Sequence, residues 1–162
     1  MKKIIIISGK QGEGKTTQCK KLANKMKEQG LIVGGFIAPG TWKDGQRYSI
    51  DLLDLQTQKA YPFATREAQE GWEQIHTFYF NPQCIKKGEK LLRAHSKTSD
   101  WVFIDEVGKF DIKGKVWGPI LQELLQQDIS LVLSVRDVFV ENVVAHFGIQ
   151  RKEIVDESSI FS

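Results

Sequence analysis

The sequence predicts a three-layer α/β fold: a mainly parallel central sheet between helices, with an antiparallel insertion at about residues 41–80. Three observations carry this. Short, almost wholly apolar runs recur (IIIIS, WVFIDE, ISLVLSV), as expected of parallel strands buried on both faces. Segments with helical apolar spacing separate them. The stretch KDGQRYSIDLLDLQTQKAYPFA breaks that rhythm with turn signals and alternation. A chain of 162 residues without repeats, low-complexity tracts or a Pro/Gly/Ser linker is expected to form one domain over residues 1–162.

The elements follow in order. Residues 4–8 form the first strand. After a glycine-rich loop, Cys19, Leu22, Ala23 and Met26 recur at helix spacing, while Lys20, Lys21, Lys25 and Lys27 make a solvated face; Gly30 closes this helix. LIVGGFIAP is the second strand. Asp44-Gly45 marks a tight hairpin, and Thr57-Gln58 marks a second polar turn. EQIHTFYF reads as one further strand. Asn81-Pro82 is an N-cap followed by the first helical residue, and Ile85, Leu91 and Leu92 mark the buried side of that helix. WVFIDE is a buried strand. A helix is expected around residues 116–127, then the strand ISLVLSV, then a helix on Val140, Val143, Val144 and Phe147 closed by Gly148. EIVDE is a short edge strand.

The loop between the first strand and the first helix carries the chemistry. Gly9, four residues, then Gly14-Lys15-Thr16 match the phosphate-loop pattern G-x-x-x-x-G-K-[ST] at every fixed position. Such a loop curls around a phosphate with successive N–H groups pointing inward, and glycine permits both the dihedrals and the close approach. The helix that follows adds its N-terminal dipole and unpaired N–H groups. The segment Gly9, Lys10, Gln11, Gly12, Glu13, Gly14, Lys15, Thr16 and Thr17 is therefore the expected triphosphate site. Lys15 reaches the β- and γ-phosphates, Thr16 ligates Mg²⁺, and Thr17 bonds the α-phosphate.

A phosphate loop calls for a carboxylate at the end of another buried strand. Asp105 ends WVFID and is expected to hold the metal with Thr16, through water; Glu106, next to it, is expected to orient or deprotonate an attacking water. Arg136, at the carboxyl end of ISLVLSV, and Lys109 are candidates to offset γ-phosphate charge, the alternative being surface cations paired with Asp137 or Asp111. Arg47 lies in the insertion and reads as a solvated hairpin charge. His76, His95 and His146 are scattered and suggest no metal site. Trp42, Trp72, Trp101 and Trp117 read as packing residues. Cys19 and Cys84 lack metal or redox spacing and read as buried, reduced thiols.

Taken together, these blocks resemble the small P-loop nucleoside-triphosphatase family, with its thermophile-type and cancer-related members. The resemblance rests on GKQGEGKTT, on VGGF at residues 33–36, on Arg47 and Asp51, and above all on FIDEVGKFDI at residues 103–112. It implies the P-loop NTPase fold and Mg²⁺-dependent hydrolysis of several nucleoside triphosphates with little base selectivity. It also implies that Asp105, Glu106 and Gly108, with Lys109 beside them, line a second nucleotide-site segment. The chain departs from the family pattern at Ser49-Ile50, where glycine and phenylalanine are usual, and at HTFYFNP.

Bulk properties narrow the function. A net charge of +3 offers no dense basic stripe, so no nucleic-acid partner is expected. The apolar run at residues 4–7 is too short for a signal-peptide core, and no stretch approaches a membrane span, so a cytoplasmic enzyme without membrane association is expected. The expected reaction is hydrolysis of ATP, GTP and other nucleoside triphosphates to diphosphate and phosphate. A small-molecule kinase built on the same core and a slow nucleotide-binding switch are the alternatives. The oligomeric state is left open.

Overall fold

In the computed structural model, residues 2–10, 12, 14–150 and 152–156 are described. The phosphate-loop positions Gln11 and Glu13 lie outside them.

The core is a set of five parallel strands: β1 (Ile4–Gly9), β2 (Val33–Ile37), β8 (Trp101–Val107), β9 (Ser130–Arg136) and β10 (Lys152–Val155). Five further strands belong to the same sheet: β3 (Gly40–Lys43), β4 (Gln46–Asp54), β5 (Ala60–Thr65), β6 (Glu73–Ile75) and β7 (Phe78–Phe80). The order is β10-β1-β9-β8-β2-β4-β5-β7-β6, with β3 pairing on β4. Parallel pairing runs from β10 to β2, and every pairing beyond is antiparallel. The insertion therefore continues the sheet at its β2 edge.

Alternation along the parallel strands divides the core between two faces. Ile7, Phe103 and Val132 pack with Cys19, Ala23 and Met26 of α1 (Lys15–Glu28). Ile6, Val102, Ile104, Leu131 and Leu133 face the opposite layer. There lie α2 (Pro82–Ser96), α4 (Gly118–Leu124) and α5 (Val140–Phe147), with the single-turn α3 (Lys109–Ile112) preceding α4. This is the three-layer architecture the sequence predicts. Fully buried Trp117 ties its two halves together, with ring centroids 4.7 Å from Phe36 in β2 and 5.4 Å from Phe63 in β5.

Local signals were realised closely. Asp44 (φ 53°) and Gly45 (φ 78°) form the two-residue turn between β3 and β4. The Asn81 side chain accepts from the Gln83 N–H at the start of α2. Both cysteines are free and buried. Burial holds the Cys19 thiol well above its ordinary pKa, with the Asp105 carboxylate adding to the effect. Burial likewise pushes Cys84 up to about 12.

Three local expectations are corrected. EQIHTFYF is a hairpin, β6–β7, because His76 takes a left-handed turn (φ 57°) and brings Ile75 opposite Phe78. The helix expected over 116–127 is the shorter α4, since Val116 is itself left-handed (φ 51°) and Pro119 sits in the first turn. Trp42 is 54% exposed rather than packed in the core.

The VGGF stretch is explained by crowding. A Cβ on Gly35 (φ 89°) would lie 2.1 Å from the Phe103 carbonyl oxygen, so only glycine lets β2 pair with β8 there. The Gly35 N–H donates to Nδ1 of His95 at 2.9 Å, and partial burial holds the His95 pKa below the ordinary imidazole value. No helix among the described residues is long and apolar enough to cross a membrane.

Candidate active site

The site lies at the carboxyl ends of β1, β8 and β9. Gly14 caps α1 in the left-handed region with no side-chain hydrogen bond, so the first N–H groups of the helix point into the loop. Lys15 is 7% exposed, and its Nζ donates to the Lys10 carbonyl at 3.0 Å. Its aliphatic chain crosses Gly9, where a Cβ would meet Lys15 Cγ at 3.3 Å. Gly12, Gly14, Lys15, Thr16 and Thr17 line a cavity of about 220 Å³ together with Pro39, Trp42, Arg47 and Glu106.

Asp105 is 0% exposed. Thr16 Oγ1 donates to its Oδ2 at 2.7 Å and the Ala38 N–H donates to the same oxygen at 2.8 Å. The Ser134 hydroxyl and, more distantly, the Cys19 thiol meet Oδ1. Strand order explains this arrangement. β9 lies between β1 and β8, so Ser134 occupies the gap between the loop strand and the acidic strand. A fully buried carboxylate has to be hydrogen-bonded, and here both oxygens are.

Glu106 points elsewhere because the backbone makes it do so. The β8–β9 register slips between Ile104 and Val107, and Glu106 takes φ 64°. A bulge with a left-handed non-glycine residue costs energy and re-aims the side chain. The Glu106 N–H is held by Ser134 Oγ at 2.8 Å. Its carboxylate pairs with Arg47 Nη1 at 2.9 Å, and the two side chains are 29% and 14% exposed. Arg47 is therefore no solvated hairpin charge. Antiparallel pairing places β4 beside β2 in the sheet, and the Arg47 guanidinium at its start meets Glu106. A long-range register decides this contact, and nothing near Arg47 in the sequence signals it.

Lys109 and Arg136 do not line the cavity at the glycine-rich loop. They line a neighbouring one of about 420 Å³, to which Arg47 and Glu106 also belong. Their cationic groups lie 5.3 Å and 5.5 Å from the rings of Phe110 and Phe139. The Gly108 N–H donates to Asp111 Oδ2 at 2.7 Å, and the Trp117 N–H donates to Oδ1 at 2.8 Å. Asp111 is buried at the wall of the larger cavity, and burial outweighs these bonds, pushing its carboxyl up to about 7.

Thr16 and Asp105 suit a hard divalent cation. One hydroxyl and one carboxylate supply oxygen donors, and Mg²⁺ is ordinarily held by one or two protein oxygens plus water and substrate phosphates. Because Thr16 gives its proton to Asp105, its lone pairs are free to face a cation.

The family model described as NTPase matches residues 4–156. The chain belongs to the NTPase family. It is 27% identical over 151 residues to nucleoside-triphosphatase THEP1 of Methanopyrus kandleri, covering 93% of this chain and 83% of the relative. It is 26% identical over 158 residues to nucleoside-triphosphatase THEP1 of Archaeoglobus fulgidus, covering 96% and 90%. A solution structure of a human cancer-related nucleoside triphosphatase matches the fold with TM-score 0.69 at 18% identity, covering 95% of this chain and 88% of that one. In this NTPase Thr16 of the loop is hydrogen-bonded to Asp105, and Glu106 lines a cavity with Lys15 and Thr16. Arg47 and Ser134 are the two site residues that sequence reading missed. Ser134 left no signal beyond being a hydroxyl in an otherwise apolar strand.

Proposed function

We infer that the protein hydrolyses nucleoside 5′-triphosphates to diphosphate and phosphate, as its NTPase family membership implies. The observation that carries the mechanism is that Glu106 lines the same cavity as Lys15 and Thr16. The triphosphate lies in the loop, with N–H groups and the α1 dipole meeting its charge. Gly9, Lys10, Gly12 and Gly14 shape that cradle, and Lys15 leaves the Lys10 carbonyl to bind the β- and γ-phosphates. Thr17 bonds the α-phosphate. Bound Mg²⁺ would neutralise charge on the β- and γ-oxygens; Thr16 would touch it directly, with buried Asp105 acting through Thr16 and water.

Glu106 accepts a proton from the attacking water. Arg47 holds that carboxylate in place through the 2.9 Å ion pair, then turns toward the γ-phosphate as negative charge gathers there, the role of an arginine finger supplied in cis. In this reading Arg47 takes the part first given to Arg136 or Lys109, because it lines the triphosphate cavity and they do not. Gly108 follows β8 and caps α3, its N–H donating to Asp111 Oδ2.

The experiment is phosphate release from ATP, GTP, CTP and UTP with Mg²⁺, comparing wild type with Glu106→Gln. Wild type should turn over several of the four with no second substrate. The variant should bind them equally and lose about 10²–10⁴-fold in kcat. A variant that retains wild-type kcat would remove Glu106 from the chemistry.

A further inference from the structure

Beyond the phosphate-loop cavity, Arg47 and Glu106 also wall a second cavity of about 420 Å³. Four cations border it: Arg47, Arg66, Lys109 and Arg136. Its floor is aromatic, with Phe63, Phe78, Phe80 and Phe110. Two of the cations are held in place rather than free to wander. Arg66 Nε donates to the Arg47 carbonyl at 2.6 Å, and its guanidinium lies 4.7 Å from the centre of the Phe78 ring. Arg47 is tied to Glu106. Cations grouped around aromatic rings are matched by a flat molecule carrying a compact anion.

Backbone strain points to the same place. Five non-glycine residues among the described ones have positive φ, and three of them, His76, Glu106 and Val116, line this cavity. For a β-branched residue such as Val116 that conformation is a genuine outlier. Strain of this kind persists where the surrounding structure enforces it, and it gathers at ligand sites.

We propose that this cavity is a second ligand site, for an aryl or heterocyclic phosphate monoester, occupied at the same time as the triphosphate site. The ring rests on the phenylalanines. The phosphate dianion meets Arg66, Lys109 and Arg136. The Arg47–Glu106 pair is the partition between the two ligands, since both residues wall both cavities. The inference rests on the triphosphate reading of the phosphate loop.

The test is isothermal titration calorimetry on the full chain, first saturated with Mg²⁺ and the β,γ-imido analogue of ATP. Probes are 5′-AMP, 5′-UMP and pyridoxal 5′-phosphate, with adenosine as the phosphate-free control. At least one monoester should bind at one further site per chain, with adenosine weaker by about tenfold or more. Arg66→Gln should weaken that monoester by about tenfold or more and leave analogue binding within about twofold. Phe78→Ala, checked by its melting curve, should weaken it too, so the site stays testable if one variant fails to fold. The proposal is overturned if no monoester binds at millimolar concentration while the analogue does. It is equally overturned if the monoester displaces the analogue, or if both variants bind it as wild type does. Failure of the analogue itself to bind shows before any probe is added; it would sink the triphosphate reading and this one with it.

Discussion

The two halves of the sheet differ in how their function is encoded. In the parallel half, each chemical group sits a fixed, short distance along the chain from the strand that presents it. Lys15 and Thr16 follow β1 through one loop, and Asp105 lies within β8. In the antiparallel half, Arg47 reaches Glu106 only because β2 and β4 pair in one register. The first half holds the phosphate-loop motif; the second supplies the cation that pairs with Glu106. A phosphate-binding loop can therefore be read from local sequence, while the residues that complement its charge depend on non-local pairing.

Glycine substitutions break this contrast most sharply. Gly35→Ala, at the junction of the halves, would drive a Cβ to within 2.1 Å of backbone in β8. Neither backbone can yield without unpairing, so the variant is expected not to fold, as judged by circular dichroism and by loss of a cooperative melt. Gly45→Ala in the β3–β4 turn meets nothing within 4 Å. It should cost only about 1–2 kcal/mol, the penalty for a left-handed side-chain-bearing residue, and leave a cooperative melt. Equal damage from both would contradict the view that the junction, and not the hairpin, is the rigid part.

A smaller effect concerns Asp111 at the wall of the larger cavity. Its folded pKa, about 7, stands above the ordinary carboxylate value. Below about pH 4 the group is neutral in both states and costs nothing. As pH rises toward 7 the unfolded chain ionises first, so the stability drawn from this group falls, and above 7 the loss is constant. Asp111→Asn removes the titration. Its stability relative to wild type should therefore rise between about pH 5 and pH 8, by on the order of 1 kcal/mol or more. Denaturant melts at the two pH values measure this; a gap independent of pH would show that Asp111 ionises normally.

Much of the molecule was legible before any coordinates. The loop, the buried strands, the Asp44-Gly45 turn and the Asn81 cap are each written in a few adjacent residues whose local physics leaves little choice. What escaped was set by distance or by strain. EQIHTFYF has strand composition throughout, and only the left-handed His76 divides it. α3 is a single turn, too short for a periodic pattern. Arg136 and Arg47 look alike as surface cations on strand ends, and sheet order alone puts Arg47 on the triphosphate cavity and Arg136 on its neighbour. Ser134 is one hydroxyl in an otherwise apolar run, and only strand order places it between Asp105 and the Glu106 N–H.

The central claim is that the antiparallel half completes the catalytic site through Arg47 and Glu106 acting as one unit. The measurement that tests it most directly is a double-mutant cycle on kcat for phosphate release, using Arg47→Ala, Glu106→Gln and both together. A functional unit gives strongly non-additive losses, so the double variant should be no slower than the worse single variant within about threefold. Losses that multiply across the two sites would mean that the 2.9 Å contact between them is a surface ion pair with no part in turnover.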